Sequence, residues 1–98
     1  MIDDPIERML DDLYRALARS RCAVADGAEI ELAGLDDEAA RLAAAVEAAP
    51  RAARQHLLAA LHRVLDELDA LASDLTHQRG ARLARQAAQA YAADRSAR

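Results

Sequence analysis

The chain has no tryptophan, phenylalanine or lysine, and only two tyrosines, one cysteine, two prolines and three glycines in 98 residues. The single Cys22 has no intramolecular partner, which excludes a disulfide scaffold. Valine and isoleucine number three each, too little β-branched and aromatic material for a sheet. Apolar runs such as Leu42 to Val46 stop after five residues, far short of the ~20 that a membrane span needs. The opening stretch MIDDPIERML is acidic and has no apolar core of a secretory signal, so a cytoplasmic location is the expectation.

What the chain holds in quantity is alanine (27), leucine (14) and arginine (13), all strong helix formers. An all-α fold follows. Alanine buries little surface, so the larger apolar side chains must supply most of the core at roughly 25 cal/mol per Å². A chain of this size has little surplus stability after chain entropy, which favours self-association or docking on a partner.

The first helix is expected over about residues 4–26. Asp4, Pro5 and Glu7 read as N-cap, N1 and N3 of a capping box. Ile6, Leu10, Leu13, Leu17, Ser20 and Val24 follow in heptad spacing, widened by Met9, Ala16 and Ala23. Gly27 supplies the left-handed residue past the end. A connector over residues 27–35 alternates Ile30 and Leu32 with Glu29 and Glu31. It reads as an extended loop pressing two apolar side chains onto the bundle, with a turn at Gly34. Helix 2 is expected over about 36–49, with Asp36, Asp37 and Glu38 at the positive end of its dipole and a seam of Leu35, Ala39, Leu42, Val46 and Ala49. Pro50 stops it and can serve as N1 of the next helix.

Helix 3 is expected over about 50–79. Two seams overlap on it: Leu57, Leu61, Val64, Leu68, Leu71, Leu75, and Leu58, Leu61, Leu65, Leu68, Ala72, Leu75. Together they make a broad apolar face. Gly80 either caps this helix or lies inside it, at a cost of about 1 kcal/mol relative to alanine. A tail helix over about 81–93 has a thin apolar face of Leu83, Ala87, Ala90 and Tyr91. The expected architecture is an antiparallel bundle of three main helices in one domain, with the tail as a fourth helix or an extension of the third, and dimeric.

Charge is uneven. Residues 1–49 carry 12 acidic and 5 basic side chains, and residues 78–98 carry 1 and 5. The two ends can attract each other, within one chain or between chains. Arg79, Arg82 and Arg85, three apart, could alternatively form an anion-binding ridge. The chain as a whole is acidic, however, and no aromatics interleave with the arginines, so nucleic acid is not the expected partner.

No catalytic arrangement can be assembled, and no cofactor or metal is expected. His62, Asp66 and Asp69 share one helix face, but one nitrogen and two carboxylates are an incomplete ligand set, and a solvated polar face is the simpler reading. Cys22, within one turn of Ser20 and Val24, reads as a small residue bordering the helix 1 seam rather than a nucleophile. Tyr14 and Tyr91 read as bundle anchors with their hydroxyls at the rim.

Helix 1 with its leucine seam, the connector, and the stretch LAAAVEAAPRAARQHLLAALHRVLDELDALASDL together resemble the small helical export chaperones of flagellar and type III systems. The resemblance covers about three quarters of the chain and identifies no site residue. It implies a chaperone- or adaptor-like protein that holds a partner helix. The residues expected to do so are Leu57, Leu61, Leu68 and Leu75 on the broad face of helix 3, with Arg79, Arg82 and Arg85 beside them. The competing expectation is a structural or regulatory homodimer whose basic tail closes on the acidic half of the other chain.

Overall fold

A computed structural model describes the backbone of residues 5–96 and the side chains of residues 5–94. Three helices account for nearly all of it: α1 (Pro5–Ala25), α2 (Ala33–Glu47) and α3 (Arg51–Ser96). No strand occurs among the described residues. Asp4, expected to cap the first helix, lies outside them.

The end of α1 is built by Gly27, whose φ of +97° is the left-handed conformation that glycine adopts without strain. It allows two reciprocal bonds, Gly27 N–H to Val24 O at 3.0 Å and Ala28 N–H to Ala23 O at 2.9 Å. This is a Schellman closure of the helix. Chain direction then reverses through the connector, where Ile30 and Leu32 press on the core as expected.

α2 begins three residues before the expected position. Leu32 already has a helical backbone (φ −83°, ψ −23°), and its carbonyl accepts the N–H of Asp36 at 3.0 Å. Gly34 is therefore not a turn but lies in the first helical turn. The early start brings Leu35 onto the stripe that buries Ala39, Leu42 and Val46, which outweighs the modest cost of a glycine there. α2 ends at Glu47 rather than at residue 49, and Ala49 is buried in the corner that follows. Arg54 donates back to the Ala49 carbonyl at 3.0 Å. The Pro50 carbonyl accepts from the N–H groups of Ala53 and Arg54, both at 3.0 Å, so Pro50 caps α3 rather than forming its first turn.

The tail is not a separate helix. α3 runs through Gly80 without a break, as the extension that the sequence left open. A helix already nucleated by packing adds residues without a fresh nucleation cost, and seven alanines between Ala81 and Ala93 favour continuation past the one glycine. At about 1.5 Å per residue α3 is about 69 Å long, and it sets the 72 Å long dimension of the molecule.

Side-chain contacts fix the topology. Glu7 meets His56 at 2.8 Å, Arg63 lies over the Tyr14 ring at 4.7 Å, and Arg21 reaches Glu67 and Asp74. The numbers rise together, so α1 and α3 run parallel and α2 returns between them. Each helix is thus antiparallel to its neighbour in sequence. The core is wholly apolar among the described residues. It comprises Leu10, Leu13, Leu17 and Val24 from α1, the α2 stripe, and Leu57, Leu61, Val64, Leu68, Leu71 and Leu75 from α3.

Candidate interaction surface

The broad leucine face expected to hold a partner is the core of the bundle. Leu57, Leu61, Leu68 and Leu75 are 1–8% exposed, and Leu58 and Leu65 pack half-buried against the same cluster. The correction has a geometric cause: α1 and α2 pack on α3 so that the first seam is buried and Leu58, Leu65 and Ala72 of the second are half-buried. Those four leucines hold the fold together.

The open surface lies further along the same helix. Beyond Gln78 the heptad positions that continue the core seam are Arg82, Arg85 and Gln89. Polar groups there end the burial, and α3 leaves the bundle. From Gly80 to Asp94 every described residue is exposed except Arg82, which is half-buried. Leu83 is 65% exposed and Tyr91 70%. Tyr91 is thus no bundle anchor, whereas Tyr14 is half-buried against the core. Leu83, Ala87 and Tyr91 follow at i, i+4 and i+8, one stripe of a helix. The spacing is visible in the sequence, but its lack of any covering element is not.

The root of this extension is held by the end of α1. The Gln78 side-chain amide donates to the carbonyls of Val24 at 3.3 Å and Ala28 at 3.0 Å, groups left over where α1 stops. One turn on, Arg82 pairs with Glu29 of the connector. Below them, Arg21 donates from Nε to Asp74 at 2.8 Å and from Nη1 to Glu67 at 3.2 Å, clamping two turns of α3 to α1. The bond to Asp74, then that to Glu67, raises the Arg21 pKa above its ordinary value. A raised folded-state pKa means a contribution present throughout the neutral range and lost only as pH climbs through the arginine range. The direction in which the extension leaves is therefore fixed by hydrogen bonds from both partners.

The three expected arginines divide. Arg82 is engaged with Glu29, whereas Arg79 and Arg85 are exposed and form no ion pair among the described residues. A surface groove beside the root, between α1 and α3, is lined by Arg85 together with Cys22, Glu67, Asp74 and His77. Its charges are mixed, with Arg21 already committed to the two carboxylates, so the three arginines do not converge on one anion site.

Cys22 is exposed and free rather than a core border residue. Two residues on an α-helix stand about 200° apart, so Cys22 projects away from the face that buries Val24. His62, Asp66 and Asp69 are exposed on α3, and no group of three or more metal-ligating side chains is gathered among the described residues. Nor is any described helix long and apolar enough to cross a membrane.

In comparison with known proteins, the chain matches no family model, no curated protein and no solved structure.

Proposed function

We propose that this chain is a non-enzymatic protein-interaction module, chaperone- or adaptor-like and acting in the cytoplasm, whose binding element is the C-terminal extension of α3. The observation that carries the reading is the exposure of Leu83 and Tyr91 on a helix that has left its own bundle. Two large apolar residues in one stripe, with Arg79 one turn before Leu83 on the same side of the helix, are the anchors of helix-on-helix recognition, and aromatic and arginine side chains dominate such contacts. The resemblance to export chaperones points to the same kind of activity.

Photo-crosslinking in the protein's own cells tests this. A benzophenone amino acid replaces Tyr91 in one full-length variant and Asp69, on the exposed face of the bundle, in another. Discrete cross-linked polypeptides are expected from position 91 and not from position 69. Equal labelling from both, or none from position 91, overturns the proposal.

A further inference from the structure

We infer that the partner of the extension is a second copy of this chain, the basic extension of each copy lying along α1 and the acidic α2 of the other. The inference rests on the extension being the binding element and adds what binds it.

Charge selects among the possible occupants. The extension belongs to the segment with five basic and one acidic side chain, whereas α2 carries four acidic and one basic. Two extensions side by side would repel each other. The acidic surface of the same bundle is out of reach, because α3 is continuous through Gly80 and its root is tied down by Gln78 and Arg82. The acidic surface of another copy meets neither objection. Asp12 on α1 and Asp36, Asp37 and Glu38 on α2 are all exposed there.

Length and register agree. From Gly80 to Ser96 the extension measures about 25 Å, against about 22 Å for the 15 residues of α2. It can therefore lie as a fourth helix along a bundle. A two-fold arrangement makes the contact reciprocal and closed. If two α3 helices run antiparallel over their full length, Arg51 of one is level with Ser96 of the other, and Leu58 with Gln89. Within one chain α1 lies beside α3 with Glu7 at His56 and Tyr14 at Arg63, which puts Met9 level with Leu58. Along the axis, Met9 of one copy is then level with Tyr91 of the other to within about half a turn. Met9, Leu83 and Tyr91 are the large hydrophobics left exposed among the described residues. Reciprocal docking brings the one on the bundle to the level of Tyr91 on the extension.

The test uses purified full-length protein. Sedimentation equilibrium measures the dimer constant at low and at 1 M salt, for the native chain and for R79E/R85E. Those two arginines are exposed, and circular dichroism checks the variant's fold. Photo-crosslinking from position 91 in a mixture of 15N-labelled and unlabelled chains then maps the contact. The expected result is a dimer weakened about tenfold or more by R79E/R85E and by salt, as for a contact steered by complementary charge. Its cross-links are expected to be intermolecular and to fall on α1 or α2. A chain that stays monomeric at 100-fold dilution steps from millimolar concentration overturns the inference, as do cross-links within one chain or between two extensions. If purified chains are monomeric while position 91 labels a different polypeptide in cells, the second copy is wrong and the interaction module stands. No cross-link in either setting removes both.

Discussion

Gly27 and Gly80 show how one residue type serves two opposite purposes. Gly27 holds a left-handed backbone, where a Cβ costs roughly 1–2 kcal/mol, and the two bonds that close α1 depend on it. Gly80 sits in regular helix with nothing within 4 Å of an added Cβ, so its only effect is the propensity it lacks. Gly27→Ala is expected to lower unfolding stability by about 1 kcal/mol or more. Gly80→Ala should raise the helicity of the extension and add up to about 1 kcal/mol of local helix stability. Urea unfolding followed by circular dichroism reads both. Cys22 makes a third case at this scale. Its exposure predicts that a thiol reagent titrates one equivalent in the native protein as fast as in the unfolded one; a protected thiol would contradict its placement. The left-handed role of Gly27 was legible from its position after a heptad stripe. The roles of Cys22 and Gly80 were not. Cys22 depended on which side of α1 the other helices took, and Gly80 on whether packing nucleates the helix before it.

α3 is one helix with two lives. Over residues 57–75 it supplies the core, and Leu71, fully buried, is expected to cost 2–5 kcal/mol when changed to Ala. Leu83→Ala, measured by urea unfolding under dilute conditions where the chain is monomeric, should stay within about 0.5 kcal/mol of the native chain. Equal costs at the two positions would mean that the extension is packed. The seams that build the core were readable by spacing alone, and every position of the first α3 seam is buried. Periodicity could not say which seams would be covered. Two overlapping seams look the same whether they face two helices of one chain or one helix and a groove, and here the first is buried while Leu58, Leu65 and Ala72 of the second are half-buried. The start of α2 was misplaced for a similar reason. Gly34 and the acidic run drew the expected boundary to Asp36, while burial of Leu35 pulled the real one back to Ala33.

At the scale of the whole molecule, acidic and basic charge are separated along the chain and displaced in space, with the bundle at one end and the extension at the other. A consequence of reciprocal docking can be read by amide hydrogen exchange across a dilution series. Amides from Gly80 to Asp94 should be protected at high protein concentration and exchange quickly once dimers dissociate. Those of Leu57 to Leu75 should stay protected in both, because the core closes within one chain. Protection of the extension that does not change with concentration would speak for an intramolecular contact instead. Arg21, bridging Glu67 and Asp74, and Gln78, capping α1, should be needed to keep the extension pointing away from its own bundle.

By itself the sequence determined that this protein is helical, where its first turn signals lie and which side chains are apolar at helical spacing. These are local properties, set by propensity, capping chemistry and a 3.6-residue period. Only the tertiary structure decided which apolar stripe is core and which is surface. Burial belongs to a residue and its neighbours together, and α1 and α2 are long enough to cover α3 as far as Gln78 and no farther. The part of α3 they fail to reach is where an interaction surface can exist.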